Sequence, residues 1–169
     1  LPHFHCVALD LPFHGSAKNH PVQDFDDTSA YVAQRIQSTV GNHPYFLVGY
    51  SLGGRIALYY ALCSQLDKYN LQGLIIEGGN LGLTNEADKK VRWENDVFWA
   101  QRFRHENATS VLNDWYQQPV FAHLTEDQRK ALIEKRQTNC GDNIAQMLLA
   151  TSLANQPDLR PYVQQSPYP

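Results

Sequence analysis

The chain has 169 residues, 43% apolar and 18% charged, which is enough for one domain with a sizeable core and excludes a disordered chain. Its net charge is -3 with the basic residues dispersed, and no apolar run approaches a membrane span. Neither nucleic acid nor a membrane is therefore an expected partner.

The first predicted element is a strand over "FHCVALD", Phe4 to Asp10. Turn residues Leu11, Pro12, Phe13, His14, Gly15 and Ser16 follow it. "DFDDTSAYVAQRIQSTVG" predicts a helix, because Val32, Ile36 and Val40 recur every four residues on one face. Asp26, Asp27, Thr28 and Ser29 offer N-cap oxygens and Gly41 a stop. "YFLVGY" (45–50) predicts a second strand, with a helix from about Leu52 to Leu66 directly after it. "LQGLIIEGG" predicts a third strand ending at Glu77. This alternation is the pattern of parallel βαβ units, whose strands are buried on both faces and hence continuously apolar.

After Gly79 the pattern changes, and only helical signals run from Glu86 to Ala154. Val91, Phe98, Trp99 and Phe103 predict one amphipathic helix. Thr125 with Gln128 forms a capping-box signature before "EDQRKALIEKR", and "DNIAQMLLATSLA" predicts a further helix. The expected organisation is a partial α/β core over 1–85, a helical lid over 86–154 and a return segment over 155–169. Cys6, Cys63 and Cys140 have no metal-like spacing and read as reduced thiols. Asn107-Ala108-Thr109 matches a glycosylation sequon by chance. The only methionine is Met147, and residue 1 falls almost on a strand, so an internal piece of a longer chain is expected. Such a piece, alone, is expected to be poorly stable and inactive.

The chemistry-bearing motif is Gly49-Tyr50-Ser51-Leu52-Gly53, a G-x-S-x-G placed between a strand and a helix. A nucleophile elbow needs that context. Its glycines are required because side chains two residues either side of the serine would collide in the sharp turn. The turn lifts the serine Oγ above the sheet and aims the Leu52 N–H where an oxyanion would form. The helix N-terminus adds partial positive charge there. "LDLPFHGSA" supports the same reading; His5 and His14 within and beside it read as turn or surface residues. After Ser51 the only histidines are His105 and His123, both within the helical run, and neither is assigned as a base. Arg55, in the first turn after the serine, opposes the helix dipole and so points to a functional cation.

"IIEGGNLGL", "WAQRF", "DWYQQPVFA", "ATSLANQPDLR" and "GYSLGGR" together resemble the 2-succinyl-6-hydroxy-2,4-cyclohexadiene-1-carboxylate synthases of menaquinone (vitamin K2) biosynthesis. The resemblance covers essentially all 169 residues. It implies an α/β-hydrolase fold with a partial parallel sheet and a helical lid insertion. It also implies a cytoplasmic lyase that eliminates pyruvate from a cyclohexene precursor, with no metal or organic cofactor. Its partner would be a small polycarboxylate. Residue by residue, it implies that Ser51 is the triad serine and Tyr50 an active-site tyrosine. Arg55, Arg92 and Arg136 would bind substrate carboxylates and Trp115 would line the pocket. The catalytic Asp and His would lie beyond Pro169. A strand ending in His-Gly, which in the usual order lies between the first two strands read here, is not in the chain. Phe13 departs from the "LPGHG" common in the family. Read without the resemblance, Arg92 and Arg136 are solvated helix charges and Trp115 is core packing.

Two other readings share parts of this evidence. One is a carboxylesterase, thioesterase or C–C hydrolase with the same elbow. The other is a non-catalytic chain that uses the fold's surface for binding.

Overall fold

A computed structural model describes residues 3–169. Two parallel strands, β1 (Tyr45–Tyr50) and β2 (Leu71–Glu77), pair with Tyr50 opposite Glu77 and with one register shift, between Tyr45 and Phe46. The connection between them is helix α2 (Leu52–Leu58), continued by a π-helical turn over Tyr59–Cys63. Helix α1 (Phe25–Val40) precedes β1. Helices α3 (Glu86–His105), α4 (Ala108–Trp115), α5 (Glu126–Arg136), α6 (Gly141–Ala150) and α7 (Arg160–Gln164) follow β2. No helix among the described residues is long and apolar enough to cross a membrane.

Several local expectations change. Phe4–Asp10 is not a strand: no ladder forms along it among the described residues, where the sheet consists of β1 and β2, and a strand needs a paired neighbour. Helix α1 is capped by Asp24, which accepts from the Asp27 N–H, rather than by an oxygen further in. Thr28 and Ser29 are buried inside the helix, and Thr28 Oγ1 donates back to the Asp24 carbonyl at 2.7 Å. The helix after the serine ends at Cys63, not Leu66; Ser64 turns extended there, and the Lys68 ammonium gathers the Ser64 and Leu66 carbonyls. On α3, Trp99 and Phe103 are buried, but Val91 and Phe98 are exposed, so the amphipathic face is narrower than predicted. Helix α6 stops at Ala150, and Thr151–Ala154 forms turns. The Thr125–Gln128 capping box is present with both of its hydrogen bonds.

Two apolar clusters hold the chain together. The first gathers Phe13, Val22, Phe25, Ile36, Ile56 and Tyr60 from α1, α2, the π-helical turn and the loop before α1, with Met147 and Ala150 of α6. The second is aromatic and lies among α3–α6, with Trp99, Phe103, Val111 and Tyr116. Asn143 of α6 donates to the Phe13 and Lys18 carbonyls, at 3.0 and 2.9 Å, and so fastens the helical run to the loop. The sheet is covered on one face only. Phe46, Val48, Tyr50 and Ile75 stand exposed on the other, contrary to burial on both faces.

Candidate active site

The chain leaves β1 at Tyr50 and turns within one residue into α2. Ser51 makes that turn with φ 51° and ψ -113°, outside the regions a side-chain-bearing residue ordinarily adopts. Its N–H still completes the ladder, donating to the Glu77 carbonyl at 2.8 Å, while its carbonyl already accepts from the Arg55 N–H at 3.0 Å. One residue is thus both the end of a strand and the cap of a helix, and the conformation is over-determined from both sides. The side chain is left exposed at the tip.

The glycines divide differently from expectation. A Cβ on Gly49 would sit 2.6 Å from the Gly53 carbonyl oxygen and the Gly54 Cα, so nothing but glycine fits. A Cβ on Gly53 would meet nothing within 4 Å. The second crowded position is Gly54, where a Cβ would lie 3.1 Å from the Gly49 carbonyl and the Ile76 side chain. Strand and helix therefore cross at Gly49 and Gly54. The G-x-S-x-G spacing marks the site, but its last glycine faces open space.

One turn further on, Arg55 points back under the helical run. Its Nη1 donates to the Thr151 carbonyl at 2.9 Å and to Gln156 Oε1 at 3.2 Å. Its guanidinium lies 5.7 Å from the centre of the Phe25 ring. No carboxylate among the described residues is within ion-pair distance of it. Burial, with the nearby positive charge of Arg92, pushes its pKa down to about 10; Asp96 opposes that shift. Arg55 is thus a charged group at neutral pH, bonded to neutral acceptors and lacking a counter-ion.

Arg92, on α3, is fixed through Nε alone, which donates to both oxygens of Asp96 at 2.9 Å. Asp96 is only 2% exposed and also accepts from Ser152 Oγ at 2.7 Å. Arg92 lines a cleft of about 390 Å³ together with Leu83, Asp88, Val91, Asn95 and Leu153. Gln156 is buried and donates to the Asn80 carbonyl at 2.8 Å, which ties the return segment to the loop after β2.

Sequence reasoning missed four of these residues: Asp96, Thr151, Ser152 and Gln156. A signal for the first was available, since Arg92 and Asp96 stand four apart on a helix, the spacing of a facing pair. The other three lie inside "ATSLANQPDLR", but nothing local in that stretch says which of its groups turn inward.

The remaining candidates lie elsewhere. Tyr50 is exposed on the uncovered sheet face. Trp115 is half-buried in the aromatic cluster, edge-on to Trp99 at 5.0 Å and to Phe103 at 5.5 Å. Arg136 donates to the hydroxyl of buried Tyr116 and sits over its ring at 5.8 Å. The structure brings Ser51, Leu52, Arg55 and Arg92 to one region through α2, α3 and the 151–156 turn. Trp115 and Arg136 belong to the second cluster. His105 bonds Gln101, one turn back on its own helix.

Residues 1–164 match the family model of the alpha/beta hydrolase fold. A Haemophilus influenzae protein described under the name 2-succinyl-6-hydroxy-2,4-cyclohexadiene-1-carboxylate synthase is 61% identical over all 169 residues, which cover 68% of its length. The synthase of that name from Serratia proteamaculans is 48% identical over 168 residues, 99% of this chain and 65% of the relative. That from Yersinia enterocolitica is 49% identical over 158 residues, 94% of this chain and 57% of the relative. The chain thus spans 57 to 68% of the length of these relatives. Among solved structures, MenH from S. aureus superposes with TM-score 0.82 at 26% identity, over 95% of this chain and 61% of that one. An esterase from Thermogutta terrifontis superposes at TM-score 0.66 and 19% identity, over 88% of this chain and 53% of that one, a likeness of fold alone.

Proposed function

Because the chain belongs to the 2-succinyl-6-hydroxy-2,4-cyclohexadiene-1-carboxylate synthase family of the α/β-hydrolase fold, we propose that it carries the serine and the carboxylate-binding face of a pyruvate-eliminating lyase. The substrate class is a cyclohexene polycarboxylate, 2-succinyl-5-enolpyruvyl-6-hydroxy-3-cyclohexene-1-carboxylate. The observation that carries this reading is Arg55: a part-buried guanidinium, one turn from the elbow serine, without an anionic partner. An ester of a neutral acid gives such a group nothing to bind. A carboxylate satisfies it with charge-assisted hydrogen bonds, each contributing roughly 1.5–3 kcal/mol net.

In this reading Ser51 Oγ, activated by a histidine supplied from outside residues 1–169, takes a ring proton. The C2–H electron pair becomes the C2–C3 double bond, the C3–C4 double bond moves to C4–C5, and the C5–O bond breaks so that pyruvate leaves as its enolate. The Leu52 N–H and the start of α2 hold developing negative charge. Arg55 and Arg92 grip carboxylates of the ring and succinyl arms. Residues 86–154 act as the lid that keeps water out, with Trp115 and Arg136 on it and Tyr50 beside the serine. No step consumes water, so its exclusion suppresses side reactions.

The test is Ser51→Ala in the full-length protein, followed by pyruvate release. The turnover number falls by about 10²-fold or more, as expected for loss of the group that moves the proton. Near-normal turnover would remove the serine from the mechanism.

A further inference from the structure

Consecutive residues of one turn hold both arginines. Thr151 takes Arg55 through its backbone carbonyl, and Ser152 takes Arg92 through the carboxylate of Asp96. All three holders, Thr151, Ser152 and Asp96, are at most 2% exposed, so the linkage is built into the interior. Ser152 Oγ also accepts from the Ala154 N–H at 3.1 Å, which fixes the turn itself. Arg92 is bonded through Nε only; among the described residues neither of its Nη groups has a partner, and they are the pair that grips a carboxylate bidentately. The charges of Arg55 and Arg92 set against Asp96 leave one positive charge over in this group. The carboxylate that lines the cleft, Asp88, is exposed.

Resting on the reading above, we infer that Asp96 and Ser152 are positioning residues: they hold Arg92 at a set spacing from Arg55, so that the two guanidinium groups grip two carboxylates of one substrate. Asp96 occupies the Nε edge of Arg92 and turns its Nη edge outward. Ser152 ties that carboxylate to the residue next to the one that holds Arg55. The alternative, that Asp96 merely neutralises a neighbouring cation, does not account for Ser152. A neutralising pair has no need of a hydroxyl from another segment, nor of one adjacent in sequence to the Arg55 anchor.

The test uses the full-length protein, with Asp96→Asn, which keeps the shape and removes the charge, and Ser152→Ala, which keeps Asp96. The cyclohexene precursor is the substrate, and succinate and acetate are competing probes. The expected result is a KM raised about tenfold by Asp96→Asn and about threefold by Ser152→Ala, with kcat within about threefold of wild type. Succinate inhibition weakens in parallel, and acetate inhibition does not. In an Arg92→Ala background neither change raises KM further. If both variants keep the wild-type KM while Arg92→Ala raises it, the positioning role is overturned and the functional reading stands. The same holds if their effects persist undiminished without Arg92. If Arg55→Ala and Arg92→Ala themselves leave KM unchanged, the functional reading fails first. Should Asp96→Asn fail to fold, Ser152→Ala alone decides.

Discussion

Arg55 carries its charge inside the protein with two neutral oxygens and one aromatic face as neighbours. Its lowered pKa, to about 10, records that burial and Arg92 both disfavour that charge. The sign follows: between about 10 and the unfolded value, the folded state binds fewer protons than the unfolded one. The penalty on stability is therefore present below pH 10 and fades as pH rises above it. A bound dianion removes the same penalty at neutral pH. In the full-length protein, succinate at about 100 times its dissociation constant should raise Tm by about 5 °C, and the shift should vanish in Arg55→Ala. An equal shift in the variant would place the dianion elsewhere. Phe13 poses a different question at the same scale. Its φ of 65° is the left-handed conformation that suits the glycine common in the family, yet its ring is buried with Val22 and Phe25. Left-handed strain is worth about 1–2 kcal/mol and loss of a buried Phe about 3–5, so packing wins. Phe13→Gly should lower stability by about 2–3 kcal/mol in denaturant unfolding, and a stabilised variant would show that strain dominates.

At the scale of the element, what the sequence revealed depended on how local the cause was. The Thr125–Gln128 cap and the Gly41 stop were legible because each is decided within four residues. Thr125→Ala should lower stability by about 1 kcal/mol, read as a Tm shift of about 2–4 °C; no shift would show that helix α5 is held by packing alone. The Phe4–Asp10 strand failed because a strand needs a neighbour, and no property of the run itself supplies one. The helix predicted over "DNIAQMLLATSLA" stops at Ala150, because Thr151 and Ser152 turn inward to bond distant groups, including Arg55 and Asp96. The candidate site was legible in the same proportion. Ser51 and Arg55 stand in one turn and could be read together. Gln156 reaches Arg55 over a long stretch of chain and could not, whereas Asp96 left one local trace, its four-residue spacing from Arg92.

Over the whole molecule, the dominant fact is the sheet with one bare face. Phe46, Val48, Tyr50 and Ile75 are each more than half exposed, and Phe4 lies edge-on to Phe46 at 6.5 Å. Contiguous apolar surface of this kind drives association and binds apolar dyes. Residues 1–169 alone should therefore bind an apolar fluorescent dye and self-associate, whereas the full-length protein should do neither. A monomeric, dye-silent preparation of residues 1–169 would contradict this. The central claim concerns the proposed site, the elbow serine with Arg55 one turn along α2 and Arg92 on α3. Its most direct test compares pyruvate release from the cyclohexene precursor with hydrolysis of p-nitrophenyl acetate by one full-length preparation, wild type and Arg55→Ala. The account predicts that kcat/KM for the precursor far exceeds that for the ester, and that Arg55→Ala lowers only the former, by about 10- to 100-fold. Ester hydrolysis that matches or exceeds pyruvate release, or a precursor rate indifferent to Arg55, would contradict it.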